Sequence, residues 1–269
     1  MNRGLVLIRG AGDLATGIAL RLFRAGFSVA MTDLPQPTAI RRTVCFSEAI
    51  GRGEATVEGL RAVFAPDVHA VREITESGAV AVLADPEMKC RSALRPVAIV
   101  DAILAKKNLG TKITDCPIVV GVGPGFTAGA DCHCAVETMR GHDLGRVLYD
   151  GSPMKNTGVP GMIGGFSSER VLRAPCDGIF RACKQIGDVV AQGEIAAMVG
   201  AVPMLCTISG VLRGLLPDGT QVTVGMKSGD IDPRCEVSHC YRVSDKANAV
   251  AGGVLEAILH FLPKPADNA

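Results

Sequence analysis

The fold is decided by residues 5–33, which read LVLIRGAGDLATGIALRLFRAGFSVAMTD. An apolar run leads into a glycine-rich turn, and a helix pattern follows in which leucine and isoleucine recur on one stripe. Gly26 is a natural stop for that helix, and a second apolar run then ends at Asp33. A strand–helix–strand unit of this kind builds a parallel sheet.

The turn after the first strand has the G-x-G-x-x-A spacing of a dinucleotide-binding loop. Such a loop brings backbone amides and a helix N-terminus to a pyrophosphate, while an acidic residue ending the second strand binds ribose hydroxyls. Asp13 is an unfavourable neighbour for a phosphate, and a nearby arginine would offset its charge. The alternative is a turn that serves only close packing of the helix on the sheet. The predicted cofactor-binding residues are Gly10, Gly12, Asp13, Ala15, Asp33 and Arg41.

Three further apolar runs, at 79–84, 97–103 and 118–122, are typical of a sheet buried on both faces. The predicted fold class is therefore α/β, a Rossmann-like doubly wound parallel sheet plus a small β barrel-sandwich hybrid domain. The predicted domains are a cofactor-binding domain over 1–125, a mixed β connection with a polar site over 126–168, the β barrel over 169–235, and a C-terminal helix over 236–269 that packs back on the first domain.

The barrel is predicted from an internal repeat. Residues 178–193, GIFRACKQIGDVVAQG, align with residues 210–225, GVLRGLLPDGTQVTVG, with glycines at the same three places. One copy is too small to enclose a core, whereas two copies related by a pseudo-twofold axis can do so. The repeat resembles biotinyl and lipoyl carrier domains, which attach their group to a lysine at a hairpin tip. The corresponding stretch, 197–204, has no lysine, so no covalent biotin or lipoate is expected.

The densest polar set lies in DCHCAVET, residues 131–138. Strand alternation would place Asp131, His133 and Glu137 on one face, and we predict these three as the catalytic residues. They suit an acid/base pair or a divalent-metal site. The alternative is a solvated strand face, and no metal-ligand set is assigned.

Composition narrows the class of protein. A net charge of +1, two tyrosines and no tryptophan argue against a nucleic-acid partner. No apolar run approaches the roughly 18 residues that span a bilayer, so no membrane partner is expected. The ten cysteines contain no CxxC pair and follow no export signal, which indicates reduced thiols in a cytoplasmic protein. Cys45 and Cys90 adjoin basic residues and are candidates for a stabilised thiolate, with buried inert thiols as the alternative.

Six stretches together resemble one family. They are IRGAGDLATGIALRLFRAGF (8–27), AIRRTVCFSEAI (39–50), VDAILAKKN (100–108), GVGPGFTAGADCHCAVETMRGHDLGRV (121–147), NTGVPG (156–161) and GGVLEAIL (252–259). The family is the accessory, or maturation, proteins of selenium-dependent molybdenum hydroxylase systems, related to xanthine dehydrogenase accessory factors. The resemblance implies maturation of the molybdenum cofactor, a pterin ligand such as its dinucleotide form, and a molybdenum hydroxylase of the xanthine dehydrogenase type as partner. It supplies no catalytic residue.

Two other functions fit the same residues. An NAD(P)-dependent oxidoreductase would share the glycine loop and Asp33, but neither Tyr149 nor Tyr241 is followed by a lysine four residues on. A non-enzymatic scaffold for a partner hydroxylase would use the barrel and the terminal helix and leave the loop empty. Whether the protein is an enzyme stays open at this point.

Overall fold

A computed structural model describes residues 3–263, and within them the chain forms two β regions. The first region is a nine-stranded sheet. Its strands are β1 (Leu5–Arg9), β2 (Ser28–Thr32), β3 (Glu54–Val57), β4 (Leu60–Phe64), β5 (Val80–Leu83), β6 (Ala98–Asp101), β7 (Val119–Val122), β8 (Cys134–Val136) and β9 (Val147–Leu148).

The second region consists of two four-stranded antiparallel sheets. Its strands are β10 (Val171–Arg173), β11 (Gly178–Ala182), β12 (Val189–Val190), β13 (Ile195–Val199), β14 (Val202–Leu205), β15 (Gly210–Leu215), β16 (Gln221–Val222) and β17 (Lys227–Asp232). The α-helices are α1 (Asp13–Arg24), α2 (Glu48–Arg52), α3 (Val68–Glu76), α4 (Arg91–Leu94) and α5 (Asp245–Phe261), and single 3₁₀ turns lie at Arg42–Val44, Ile113–Asp115, Ser168–Arg170 and Val237–Cys240. None of the helices in this part of the chain combines the length and hydrophobicity that a bilayer crossing requires.

The strand order of the large sheet is β3-β4-β5-β2-β1-β6-β7-β8-β9. The seven strands from β4 to β8 in this order are parallel, while β3 and β9 pair antiparallel at the two edges. The order reverses between β1 and β6, so a crevice opens there at the carboxyl ends of the strands.

The predicted Rossmann-like doubly wound parallel sheet is wrong. The sheet is mixed, and within the described residues no α-helix lies in the connections from β6 to β7 and from β7 to β8. Residues 123–129, GPGFTAG, hold three glycines and a proline, a composition that disfavours helix. The connection from β7 to β8 is therefore a loop and does not add a helix to the face of the sheet.

The two faces of the sheet have separate cores. Along β1, Val6 and Ile8 pack toward α1 and α5, while Leu7 packs toward the opposite face with Val71 of α3. The helix α5 comes from the far end of the chain and supplies the layer that local crossovers do not provide. Gly17 of α1 makes this possible, because a Cβ there would stand 2.8 Å from the Cβ of Ala247.

Helix α5 covers half of the predicted C-terminal segment, 17 of the residues 236–269. It begins after Ser244, whose side chain accepts a hydrogen bond from the Ala247 amide and caps the helix. Residues 264–269, the last part of the predicted domain, and residues 1–2 lie outside the described residues.

The repeat explains the second region. The first strand of each copy pairs with the second strand of the other: β11 with β16, and β15 with β12. The registers match, since Gly178 lies opposite Val222 and Gly210 lies opposite Val190. The two copies are thus related by a pseudo-twofold exchange of strands.

The repeated glycines are needed for their backbone angles. Gly187 and Gly219 have φ values of +103° and +80°, and Gly193 and Gly225 have values of +88° and +79°. An L-residue rarely adopts this conformation, so each pair fixes the same turn in both copies.

The predicted small β barrel-sandwich hybrid is also wrong. The antiparallel sheets share a core that includes Ile40, a residue from the chain between β2 and β3. The Leu215 amide donates a hydrogen bond of 2.8 Å to the Ile40 carbonyl. The second region therefore takes part of its core from the chain of the first region.

A buried charge network lies at the centre of the second region. Arg213 donates to Asp230 and Asp232 at 2.8 and 3.0 Å, and Arg170 donates to Asp230 at 2.9 Å. Arg234 closes the network at the surface with a 2.6 Å bond to Asp232. Burial alone would raise the pKa of Asp232, but hydrogen bonds from Arg234 and the charge of Arg213 outweigh it and lower the pKa from 3.8 to about 2.

Because the pKa of Asp232 is lowered, part of the free energy of unfolding should be lost in acid. The depressed value stabilises the fold above about pH 4, and the contribution is lost as the pH falls toward about 2. In Arg234→Gln the pKa of Asp232 rises, so the free energy of unfolding should fall less steeply across this window. Urea denaturation at closely spaced pH values measures the slope. Arg72→Gln removes the exposed Arg72–Glu76 pair and should leave the slope unchanged; an equal change in both variants would contradict the assignment.

Neighbouring glycines in α5 give a second prediction. A Cβ at Gly253 would overlap the carbonyl oxygen of Gly145, whereas a Cβ at Gly252 would meet no atom within 4 Å. We expect Gly253→Ala to lower the free energy of unfolding by about 1–3 kcal/mol through overpacking. Gly252→Ala should raise it by about 0.5–1 kcal/mol, because alanine favours helix over glycine. Urea denaturation of the two variants measures both, and equal shifts would disprove the α5 packing described above.

Candidate functional site

A cavity of about 640 Å³ lies at the carboxyl ends of β1, β2, β5 and β6. This is the crevice where the strand order reverses, the usual place for ligands in open α/β sheets. Its floor is formed by residues that follow the four strands, and its opposite wall by residues 38–41 and Lys227 of β17.

All six residues predicted to bind a cofactor line this one cavity: Gly10, Gly12, Asp13, Ala15, Asp33 and Arg41. They come from three separate segments of the chain, which the sheet brings together. Their role in binding stays a prediction.

The two glycines of the loop differ in what they require. Gly10 has a φ of +101°, and a Cβ there would stand 3.0 Å from the Ala102 carbonyl oxygen, so the position demands glycine. Gly12 has an extended backbone, and a Cβ there would meet no atom within 4 Å. Gly12 therefore leaves open space at the head of α1, where a ligand can approach the backbone.

Asp33 fixes the glycine loop. Its Oδ2 accepts a hydrogen bond of 2.7 Å from the Ala11 amide, and its Oδ1 accepts one of 2.7 Å from the Leu34 amide. Burial raises the pKa of Asp33 despite these two bonds. The carboxylate thus holds the loop in place and still presents lone pairs along the cavity wall.

Asp13 does not fill the cavity. Its Oδ1 accepts a hydrogen bond of 2.9 Å from the Leu14 amide, and its Oδ2 lies 3.5 Å from the Arg41 guanidinium. The N-cap residue Gly12 offers no side-chain acceptor to the first turn. Because Arg41 balances the Asp13 charge, the helix N-terminus keeps its attraction for an anion.

Two buried side chains on the cavity wall have unused hydrogen-bonding capacity. Thr32 is fully buried and Arg41 is 8% exposed, and both residues line the cavity. Among the described residues, Thr32 Oγ1 and Arg41 Nε belong to the few buried side-chain atoms without a hydrogen-bond partner. Buried polar atoms are rarely left unpaired, so the wall is suited to a polar guest.

Lys227 reaches the cavity from the second region. Its side chain is open to solvent, yet it stands in a concave site where surrounding protein atoms displace water. This desolvation lowers the pKa of Lys227. The negative charges of Asp230 and Asp13 offset the effect only in part, and the positive charges of Arg213 and Arg170 add to it. Sequence reasoning missed this residue, because no local pattern connects β17 with the glycine loop.

The strap formed by residues 40–43 joins the two regions beside the cavity. Arg41 donates to the His239 carbonyl at 2.9 Å, and Arg42 Nε donates to the Leu215 carbonyl at 2.8 Å. Thr43 donates to the Cys240 carbonyl at 2.5 Å. The position of the Arg41 side chain is therefore set by both regions.

The predicted catalytic set is not brought together. Asp131 accepts from the Thr127 amide, and His133 Nδ1 accepts from the Val119 amide at 3.0 Å. Glu137 is 3% exposed, and its carboxylate accepts from three backbone amides, those of residues 138, 139 and 154. No hydrogen bond or ion pair of residues 3–263 joins any two of the three side chains.

The predicted strand alternation over 131–138 is wrong, which explains the dispersal. Only Cys134–Val136 form a strand, β8, and all three residues are buried. Within the described chain no group of three or more His, Cys, Asp or Glu residues is placed to hold a metal ion. The three predicted residues instead organise the loops around β8.

The thiol candidates are buried. Burial raises the pKa of Cys45 well above its usual value, and Arg41 offsets this only in part. Burial and a hydrogen bond involving Asp85 raise the pKa of Cys90 to about 12. Neither environment stabilises a thiolate.

Comparison with known proteins gives one related sequence of unknown role. No protein-family model matches the chain. Uncharacterized protein YqeB of Escherichia coli (strain K12) is 49% identical over 258 residues, which cover 96% of this chain and 48% of that protein. The chain therefore spans about half the length of this curated relative.

Similar solved structures belong to another group. They include a succinylglutamate desuccinylase/aspartoacylase from Rhodobacter sphaeroides (20% identity, TM-score 0.23, 31% of this chain and 29% of that one). An aspartoacylase family protein from Mesorhizobium loti (11%, 0.28, 86% and 85%) and a succinylglutamate desuccinylase from a Silicibacter species (13%, 0.26, 86% and 86%) are also similar. At these TM-scores no fold, residue role or activity is transferred to this chain.

These comparisons correct the predicted family. The relative carries no functional name, the solved structures are desuccinylases and aspartoacylases, and none is a molybdenum hydroxylase accessory protein. On these findings the predicted membership and the predicted cofactor maturation function are wrong, and the oxidoreductase and scaffold alternatives fit no better. The partner hydroxylase and the pterin ligand were implied by the same resemblance and lose that basis with it.

Thiol accessibility gives a test of the site. Cys183 and Cys235 are exposed, Cys176 is half-buried, and the other seven cysteines are buried. We expect two thiols to react rapidly with Ellman's reagent in the native protein and the buried ones to react only in urea. Cys45→Ser and Cys90→Ser should each leave the rapid phase unchanged, while Cys183→Ser should remove half of it. Loss of a rapid thiol in Cys45→Ser would show that the cavity wall is not packed as described.

Proposed function

We propose that the protein binds a phosphate-bearing small molecule with sugar hydroxyls, of the nucleotide class to which NAD(P) belongs, in the cavity at the head of α1. One observation carries the proposal: six residues chosen from sequence for this chemistry line a single cavity, with open space in front of Gly12.

The phosphate end of the ligand would lie at the glycine loop. The extended Gly12 backbone, the lack of a side-chain cap and the positive end of α1 together favour an anion. The sugar hydroxyls would donate to Asp33, whose oxygens each accept one backbone amide and retain a further lone pair. The cavity wall carries both acidic and basic side chains, so it suits a ligand that has a phosphate and sugar hydroxyls.

We also propose that the protein works in the cytoplasm. All ten cysteines are free thiols, and several lie in the two hydrophobic cores of the first region. A reducing compartment keeps such thiols unpaired.

The experiment is a calorimetric titration with AMP and NAD⁺, each compared with a matched compound. Adenosine lacks the phosphate of AMP, and 2′,3′-dideoxy-AMP lacks the hydroxyls that Asp33 would accept. We expect AMP to bind more tightly than either matched compound, by about tenfold or more, because each loses a charge-assisted contact.

Gly12→Val locates the binding. Its side chain would enter open space, so the melting temperature should change little while AMP affinity falls about tenfold or more. Gly10→Val is the matched contrast, since its strained backbone and the nearby Ala102 carbonyl predict loss of stability itself. Binding that survives in Gly12→Val, or no binding of any probe to the wild-type protein, would overturn the proposal.

A further inference from the structure

We propose that Lys227 is the direct counter-charge for the anionic group of the ligand, so that β17 completes the binding site from the second region. This inference rests on the proposed function above and names the side chain that selects a charged ligand.

Lys227 differs from the other cations around the cavity. The Arg9 guanidinium is bound to Asp101 at 3.1 Å, and Arg41 is paired with Asp13. Among the hydrogen bonds and ion pairs formed within residues 3–263, none involves the Lys227 ammonium. Lys227 is thus the cation on the wall that is available to a guest.

The backbone of β17 holds Lys227 in place. The strand lies between β10 and β15, and Lys227 is its first residue, opposite Arg173 of β10. Farther along β17, Asp230 and Asp232 are tied to Arg213. The lysine therefore projects from a fixed strand and not from a free loop, which limits the entropy lost when it contacts a ligand.

The surroundings of Lys227 lack a counter-ion at bonding distance. Desolvation outweighs the attraction of the more distant Asp230 and Asp13 carboxylates and lowers the pKa of Lys227, so the protein by itself stabilises the ammonium incompletely. An anion at the head of α1 would supply the missing charge. The helix N-terminus and the lysine would then approach the same group from two sides of the cavity.

The remaining polar capacity of the wall supports a built site. Thr32 and Arg41 are both more than nine-tenths buried, and each retains an unpaired polar atom beside the cavity. This observation is independent of Lys227 and of the helix end. It shows that two residues lining the cavity retain unused hydrogen-bonding atoms.

The experiment measures AMP and adenosine affinity in Lys227→Gln and Lys227→Arg by calorimetry. We expect Lys227→Gln to weaken AMP binding about tenfold or more and to leave adenosine binding unchanged, because only the charged contact is lost. Lys227→Arg should retain most of the AMP affinity. Lys184→Gln is the matched control: this lysine also belongs to the second region but pairs with Glu194 away from the cavity, and its loss should have no effect.

The outcomes separate the two proposals. If wild-type protein binds AMP and Gly12→Val does not, but Lys227→Gln binds AMP normally, then the counter-charge role is wrong and the proposed function stands. If Lys227→Gln weakens AMP and adenosine equally, the lysine shapes the pocket and does not read charge, which also overturns the inference. If wild-type protein binds none of the probes, both fail. Circular dichroism and melting temperature confirm that each variant is folded.

Discussion

The structure depends on a main-chain junction between Ile40 and Leu215. The Leu215 amide donates to the Ile40 carbonyl, and the Leu215 carbonyl accepts from Arg42, so both backbone groups of Leu215 are satisfied by the strap. Buried backbone N–H and C=O groups need hydrogen-bond partners. If the strap did not supply them, each unpaired group would lower the stability of the fold. The junction therefore fixes where the antiparallel sheets sit against the nine-stranded sheet. The wall of the cavity follows from that position.

The side chains on two sides of the cavity are held in place by hydrogen bonds within the protein. Asp33 holds the glycine loop on one side, and Arg41 is held on the other by Asp13 and by carbonyls of the C-terminal segment. Neither side chain has to be recruited from solvent. A site held in this way loses little conformational freedom on binding, which favours affinity and selectivity together.

Part of this arrangement could be read from the sequence. The strands around 5–33 and at 79–84, 97–103 and 118–122 are present because continuous apolar runs fit a sheet buried on both faces. The glycine loop and Asp33 were located because their chemistry is local: two glycines, a helix start and an acid at a strand end lie within one short segment. The internal repeat was visible for the same reason, since matching glycines impose matching turns.

Other features depend on contacts between distant segments, and no local pattern encodes them. Lys227 lines the same cavity as the glycine loop only because β17 lies beside the strap. The helix α5 packs on α1 only because Gly17 leaves room for Ala247. The polar alternation over 131–138 does not continue as a strand, because only Cys134–Val136 pair in the sheet. The Asp131 and Glu137 carboxylates instead accept hydrogen bonds from nearby backbone amides. A doubly wound sheet would also have helices in the connections after β6. The connection from β7 to β8 contains the glycine- and proline-rich residues 123–129 instead.

The crossed pairing of the repeat has a consequence for its origin. Because β11 is hydrogen-bonded to β16 and β12 to β15, each half leaves unmatched edges when taken alone. A shorter ancestral peptide carrying one half would have closed its core only by forming a dimer in which the two copies exchange strands. Fusion of two such genes would turn that intermolecular pairing into an intramolecular one, and the two halves would then be free to diverge outside the shared glycines.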